Sequence, residues 1–207
     1  MARSGIDQAL QHPLAKLWWW GVALLPLAWL VFAVLTDNLG ANPAEALIRS
    51  SGDWALRGLC ITLAVTPLRQ LTGWQSLARF RRVVGLFAYF YVAVHVACYA
   101  WLDMGWQWHV LLQDLAQRPF IWVGALALGV LTLLAATSPK AIVKSIGGRN
   151  WQCLHQGVHL AAWLALLHFF WMRASKNTLQ EVWIYAAVIG LLQAWRIVRR
   201  WYSTEKR

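Results

Sequence analysis

The residues of this sequence best able to do chemistry are its six histidines, because four of them fall inside long apolar segments. These four are His95, His155, His159 and His168. An ionisable side chain is costly at membrane depth, so its presence there indicates a functional site. His12 and His109 lie outside the apolar segments, and we expect them to be solvated surface residues. Neutral imidazoles in an apolar setting are typical metal ligands, so the four buried histidines predict a site.

The elements that hold these histidines must be membrane helices. The 207 residues are 59% apolar and only 13% charged, whereas soluble domains carry about 25% charged residues. Sixteen tryptophans are also present, and most lie near the ends of apolar segments, where an aromatic belt is expected. Cys60, Cys98 and Cys153 form no metal or disulfide pattern, which excludes a secreted disulfide scaffold. The composition predicts one integral membrane domain over residues 1–207.

Six segments are long and apolar enough to cross the hydrocarbon core of a bilayer. They lie near residues 17–35, 54–71, 83–102, 120–137, 151–172 and 182–198. The second segment is the weakest, because Arg57 and Pro67 interrupt it. The first segment is longer than the core of a signal peptide, so we expect it to be retained. We therefore predict an all-α integral membrane protein, a bundle of six transmembrane helices.

The basic residues predict how this bundle is oriented. Fourteen of the nineteen Lys and Arg residues fall on the side that holds both termini: Arg3, Lys16, Arg69, Arg79, Arg81, Arg82, Lys140, Lys144, Arg149, Arg196, Arg199, Arg200, Lys206 and Arg207. Only Arg49, Arg118, Arg173 and Lys176 fall on the other side. The positive-inside rule then places both termini in the cytoplasm. The net charge of +11 is explained by orientation in a membrane, without nucleic acid as a partner.

His95 and His168 lie late in the third and fifth spans, which both run outward. The two imidazoles are therefore predicted at similar depth, towards the outer leaflet, where they form an axial pair for a haem iron. An iron with six ligands has no open position, so such a haem transfers electrons. Gly157 and Ala161 fall on the His168 face and leave room for a macrocycle, although close helix packing explains the same residues.

A second, inner level of the histidine ladder is also predicted. His155 lies 13 residues before His168, and Arg81 lies 14 residues before His95. His155 is a second or alternative haem ligand, and a haem at this level needs Arg81, water or another group as its sixth ligand. Thirteen residues turn a straight helix by about 220°, so His155 and His168 share a face only if a bulge intervenes. His159 shares the face of His155 and receives no role.

Two stretches of the sequence resemble a known family. Arg81-Arg82-Val83-Val84-Gly85-Leu86, continuing to Tyr91 and His95, and Asn150-Trp151-Gln152-Cys153-Leu154-His155, followed by His168, resemble the haem-binding subunits of methionine sulfoxide reductase, the MsrQ or YedZ family. The resemblance covers nearly the whole chain. It implies a ferric reductase-like transmembrane domain that binds b-type haem and FMN in the bacterial inner membrane.

The resemblance also implies partners and ligands. Such a subunit passes electrons to a periplasmic molybdopterin-containing subunit, which reduces methionine sulfoxide in envelope proteins, so no catalytic residue is expected here. Haem ligation carries over to His95 and His168, and to His155 as a second or alternative ligand. The related NADPH oxidases have a histidine at the level of Arg81, so this sequence departs from their second haem site.

The source of electrons and the place of FMN are less defined by the sequence. It contains no Gly-x-Gly-x-x-Gly stretch and no soluble tail long enough for a nucleotide-binding domain, so electrons are expected from a cytoplasmic flavin reductase or from membrane quinol. The basic, aromatic inner loop over residues 73–82 is suited to a flavin phosphate. Positive-inside topology explains the same arginines without a ligand.

Two other functions fit parts of the pattern. A ferric or quinone reductase on the same fold would use the same haem ligands. A transporter with a histidine proton relay would need acidic partners inside the helices. No Asp or Glu occurs well inside any predicted span, which disfavours the transporter.

Overall fold

The computed structural model describes residues 5–174 and 178–204, and within these ranges the chain forms helices and turns without strands. The α-helices are α1 Gly5–Gln11, α2 Pro13–Leu35, α3 Pro43–Thr72, α4 Arg81–Cys98, α5 Trp108–Gln117, α6 Pro119–Ala136, α7 Lys140–Ile146, α8 Gly148–Leu154, α9 Gly157–Ala174 and α10 Gln180–Thr204. A 3₁₀ turn, Gln75–Arg79, precedes α4, and a π-helical turn, Tyr99–Asp103, follows it. Four of the basic residues used to predict orientation, Arg3, Lys176, Lys206 and Arg207, lie outside the described residues.

Five helical segments of the described chain are long and apolar enough to cross a membrane. They are Leu14–Leu35, Arg81–Asp103, Pro119–Ala136, Gly148–Ala174 and Gln180–Arg199, and each coincides with a predicted span. Together with the helical architecture, they make this a multi-pass membrane protein. Many tryptophans in or beside these segments remain exposed on the protein surface, including Trp18, Trp101, Trp108, Trp183 and Trp201.

The second predicted span, residues 54–71, lies within α3, which is 30 residues long. α3 begins well before that span because Asn42 caps it, its side chain accepting a hydrogen bond from the Glu45 N–H at 3.2 Å, and because Pro43 follows. The charged residues of its first half lower its apolar character. α3 is nevertheless central, because it packs against α2, α4, α9 and α10 and buries Leu59 and Leu63 almost completely.

Two antiparallel helix pairs form the frame of the bundle, α3 with α4 and α6 with α9. The first pair is especially close where Gly58 meets α4, since a Cβ at Gly58 would lie 2.9 Å from the Cβ of Ala88. Small residues at such positions let membrane helices approach each other and gain van der Waals contact. Below, the end of the bundle where α3 begins and α9 ends is called the distal end, and the end where α3 ends and α4 begins is called the proximal end.

The fifth predicted span, residues 151–172, consists of two helices. α8 ends at Leu154 and α9 begins at Gly157, so His155 and Gln156 form a turn between them. His155 and His168 can share a face only if the helix is irregular between them, and this turn is such an irregularity. Gly157 itself serves helix packing: a Cβ there would lie 3.5 Å from Val130 and 3.7 Å from Leu134 of α6.

The hydroxyl of Tyr91, on α4, forms two hydrogen bonds with the backbone of α2. Pro26 lies inside α2 and lacks the N–H group that would continue the hydrogen-bond ladder. Nearby, the Tyr91 hydroxyl donates a hydrogen bond to the Ala23 carbonyl at 2.7 Å and accepts one from the Leu27 N–H at 3.2 Å. Tyr91 therefore bridges two backbone groups that would ordinarily pair with each other, and it attaches α2 to α4.

We expect Tyr91→Phe to destabilise the protein by about 1–3 kcal/mol, because it removes the hydrogen-bond partner of two part-buried backbone groups of α2. Thermal unfolding in detergent, followed by circular dichroism, measures this change. Tyr202→Phe removes an exposed hydroxyl from α10 and is the matched control. If the two variants unfold at the same temperature as the unaltered protein, the Tyr91 hydroxyl does not hold α2.

Candidate functional site

The structure brings His95 of α4 and His168 of α9 together between the helices at the distal half of the bundle. Their ring centroids are 6.3 Å apart, and the two ring planes are inclined at 81°. Both side chains are half-buried, and the Phe120 ring lies 5.9 Å from that of His168. The sequence predicts this pairing because both residues lie at equal depth in parallel helices. In the fold the two rings lie next to each other.

Each of these imidazoles is held by a backbone carbonyl of a neighbouring helix. His95 Nδ1 lies 2.8 Å from the Ile48 carbonyl oxygen of α3, and His168 Nδ1 lies 2.8 Å from the Phe120 carbonyl oxygen of α6. A carbonyl oxygen only accepts hydrogen bonds, so each Nδ1 carries the proton and donates it. The Nε2 atom of each neutral ring then keeps its lone pair for a metal ion.

This pair fits a haem iron better than a bare metal ion. With a metal–nitrogen bond of about 2 Å and a ring centre about 1 Å beyond the nitrogen, two axial imidazoles have centroids about 6 Å apart, close to the observed 6.3 Å. Within the described chain, no group of three or more His, Cys, Asp or Glu side chains is arranged to hold a metal ion. Two imidazoles complete a coordination sphere when a porphyrin supplies the other four nitrogens.

A cavity of about 330 Å³ lies at the proximal half of the bundle, between α3, α4, α6 and the α8–α9 turn. Its walls are largely apolar, and its polar lining includes Arg69, Arg81, Arg82 and His155, together with Trp151. The predicted partners Arg81 and His155 therefore line the same cavity. Three arginines beside an apolar, aromatic wall are suited to a flat group that carries carboxylates or a phosphate.

His155 is oriented differently from the distal pair. Its ring stacks on Trp151 with centroids 4.0 Å apart, and its Nε2 lies 3.1 Å from the Thr137 hydroxyl oxygen. That hydroxyl donates to the Leu133 carbonyl at 2.7 Å, so its oxygen is available to accept from His155 Nε2. The Trp151 indole N–H donates to the Thr137 carbonyl at 2.9 Å and completes the cluster. In this arrangement Nδ1, rather than Nε2, keeps the lone pair.

His159 is not part of this cavity. Its Nε2 lies 3.0 Å from Nη1 of Arg196 on α10, and Nη2 of the same arginine donates to the Leu63 carbonyl of α3 at 2.9 Å. A guanidinium only donates hydrogen bonds, so His159 Nε2 accepts and the ring is neutral. His159 therefore joins α9 to α10. Its sequence position gave no means of predicting Arg196 as its partner.

The distal end also carries a cluster of charged side chains whose association the sequence did not predict. Arg173 of α9 lies 2.7 Å from Glu181 of α10 and 3.7 Å from Asp53 of α3. Close by, Arg57 Nε donates to the Tyr185 hydroxyl at 3.1 Å. These contacts tie three helices together one or two turns from the histidine pair. They provide partners for Asp53, which directly precedes the second predicted span, and for Arg57 inside it.

Sequence reasoning also missed two glycines that lie against the imidazoles, Gly52 beside His95 and Gly124 beside His168. They follow Ile48 and Phe120 by one helical turn in α3 and α6. Glycine is a poor choice for a helix interior in water, and this was the only signal in the sequence. It gave no indication of which side chain approaches each glycine.

Comparison with known proteins shows that the chain is similar to haem-binding membrane subunits. Residues 17–167 match the family model for the ferric reductase like transmembrane component. The chain is 53% identical over 204 residues to the protein-methionine-sulfoxide reductase heme-binding subunit MsrQ of Polaromonas naphthalenivorans, covering 99% of this chain and 93% of that relative. It is 43% identical to the subunit of the same name from Herminiimonas arsenicoxydans, over 89% of this chain and 84% of the relative. For that of Bordetella pertussis, the identity is 46% and the coverage 86% of both chains.

Proposed function

The chain belongs to the MsrQ family of protein-methionine-sulfoxide reductase heme-binding subunits, which have a ferric reductase-like transmembrane domain, and from this we propose that it carries electrons through haem b across the bacterial inner membrane. The acceptor is a periplasmic molybdopterin-dependent subunit that reduces methionine sulfoxide in oxidised envelope proteins. This chain is the redox subunit of that complex, and the sulfoxide is reduced on the partner.

The observation that carries this proposal is the pairing of His95 with His168. The ring spacing of 6.3 Å and the two hydrogen bonds from Nδ1 to carbonyls leave two Nε2 lone pairs that would bind a haem iron. A bound haem supplies a one-electron carrier. The two imidazoles would hold it and leave no position for an external ligand, so the site would favour electron transfer over ligand activation. The surrounding apolar helices limit the access of water and set its potential.

The direction of transfer follows from the distribution of charge. We propose that six helices, including α3, span the membrane and that the proximal end, with its many arginines and lysines, faces the cytoplasm together with both termini. The His95–His168 pair then lies near the periplasmic side, within reach of the partner subunit. The exposed tryptophans contact membrane lipid at both interfaces.

The proximal cavity is proposed to hold the second cofactor, a haem b or FMN. Arg69, Arg81 and Arg82 supply positive charge for haem propionates or for a flavin phosphate. His155 is the second or alternative haem ligand if the group is a haem, and a stacking and hydrogen-bonding residue if it is FMN. The electrons enter here from a cytoplasmic flavin reductase or from membrane quinol.

Two other functions make different predictions. A ferric or quinone reductase would deliver electrons from the same haem to a small acceptor. A proton-relay transporter would place carboxylates beside the buried histidines. The partners of His95 and His168 are instead carbonyl oxygens, which accept a hydrogen bond from Nδ1 and do not take up its proton. This observation favours a redox function over a transporter.

Electron transfer in proteoliposomes tests the proposed function. The purified protein is expected to become reduced when a flavin reductase, NADH and FMN are supplied on its cytoplasmic face. Its haem bands should then be reoxidised by the molybdopterin subunit with methionine sulfoxide on the opposite face, and at least tenfold more slowly by ferric citrate. Equal or faster reoxidation by ferric citrate would support the ferric reductase instead. A colourless protein that binds no added haem would refute both.

A further inference from the structure

The two histidines of the distal pair are seated in the same way on two different helices. In α3 the Ile48 carbonyl receives His95 Nδ1, and Gly52 follows four residues later. In α6 the Phe120 carbonyl receives His168 Nδ1, and Gly124 follows four residues later. The carbonyl and the histidine are 47 residues apart in the first case and 48 in the second. The α3–α4 and α6–α9 pairs therefore present their imidazoles by a common device.

Helix geometry explains why the fourth residue after the carbonyl is glycine. Each Cα–Cβ bond tilts towards the helix N-terminus, so the side chain of residue i+4 lies over the carbonyl of residue i. A Cβ at Gly52 would lie 3.0 Å from His95 Nδ1 and 3.2 Å from Cε1. A Cβ at Gly124 would lie 2.8 Å from His168 Nδ1 and 3.0 Å from Cε1. Any larger residue would press on the ring and shift it relative to the carbonyl, more strongly at Gly124 than at Gly52.

We infer that Gly52 and Gly124 are positioning residues of the haem site, each forming with the carbonyl one turn earlier a seat that fixes the tautomer and orientation of an axial imidazole. This inference rests on the proposed function, since the lone pairs it directs are those proposed to bind haem. Neither glycine contacts the metal. Both act through the histidine that they allow to approach.

The chemical consequence is a change in the strength of the axial ligand. A hydrogen bond from Nδ1–H to an acceptor raises the basicity of Nε2 and holds the ring in place. A more basic imidazole stabilises ferric over ferrous haem, so each seat lowers the reduction potential. Loss of a seat should therefore shift the potential in the positive direction. It should also change the 81° angle between the two ring planes, on which the g values of a low-spin ferric haem depend.

The test compares Gly52→Ala and Gly124→Ala with two glycine controls in the same helices. Gly58→Ala crowds α3 against Ala88 of α4 as tightly, at 2.9 Å, but at a distance of almost two turns from Gly52. Gly129→Ala places a methyl group on α6 where nothing lies within 4 Å. The readouts are the midpoint potential and the electron paramagnetic resonance spectrum of the haem-loaded protein, together with haem affinity.

We expect both seat variants to favour ferrous haem by about tenfold, which is a positive shift of about 59 mV for a one-electron couple. Haem affinity should fall by about 10–100-fold, as for other losses of a partner to a metal-bound histidine. The larger change is expected for Gly124→Ala, where the approach is closer. The g values should change with the potential, whereas Gly129→Ala should retain the wild-type potential and spectrum and Gly58→Ala should change both less than either seat variant does.

Several results would overturn the inference. An unchanged potential and spectrum in Gly52→Ala and Gly124→Ala would show that the glycines do not position the rings, and an equal shift in Gly58→Ala would assign the effect to general packing. If an alanine variant does not fold, ¹⁵N nuclear magnetic resonance of the diamagnetic ferrous wild type is measured instead. The inference requires that it show a protonated, slowly exchanging Nδ1 on both His95 and His168, and a rapidly exchanging Nδ1 would contradict it. Absence of haem from the wild type would instead refute the proposed function.

Discussion

His168→Ala and His95→Ala are each expected to abolish the split low-spin bands of a haem with two histidine ligands at the distal site. Either substitution removes one of two axial ligands whose rings are 6.3 Å apart in the folded protein. The remaining imidazole keeps its hydrogen bond to a carbonyl, but the iron loses its sixth ligand and becomes high-spin, or the haem dissociates. Optical spectra of the oxidised and dithionite-reduced proteins in detergent measure this loss.

The matched control for these variants is His109→Ala, because His109 is exposed on α5. It should keep the full wild-type spectrum. Added imidazole should restore low-spin bands in His168→Ala and His95→Ala if the cavity left by the side chain remains open to it. Wild-type bands in both variants without imidazole would refute the assignment of His95 and His168 as the axial pair.

His155→Ala has the second large expected effect, the loss of the cofactor at the proximal cavity. Removal of the imidazole eliminates the ring that stacks on Trp151 and the hydrogen bond to Thr137, together with any bond to iron. If the cavity holds a haem, the haem-to-protein ratio should fall from about two to about one, with one metal-ligand bond lost per site. If it holds FMN, the haem ratio should stay constant while the bound flavin is lost.

His159→Gln is the control for this experiment. His159 lies one turn further along the chain but contacts Arg196 rather than the cavity, and a glutamine can still accept that hydrogen bond. It should retain all cofactors. Arg81→Gln should lower the affinity for the same proximal cofactor, because the variant lacks the positive charge that would face a carboxylate or phosphate. A full complement of haem and flavin in both His155→Ala and Arg81→Gln would show that the cavity has another occupant.

Much of the architecture follows from local properties of the sequence. Hydropathy over about 20 residues identifies membrane helices, and five predicted spans coincide with helices of suitable length and composition. The second span was harder to define, because the charges of α3 lower its hydropathy. Those charges are satisfied by residues far away in the chain, such as Arg173 for Asp53. No local average can include them.

The sequence by itself determined that this is a membrane protein and to which family the chain belongs, and it predicted that His95 and His168 lie at one level. These conclusions rest on composition, helical rise and motif, which are properties of one segment at a time. Only the tertiary structure decided that Gly52 and Gly124 seat those imidazoles on carbonyls of α3 and α6. It likewise showed that His159 contacts Arg196 and that the helix is interrupted at His155. The physical reason is that such contacts depend on which faces of helices distant in sequence pack together, and a one-dimensional pattern does not contain that rotation.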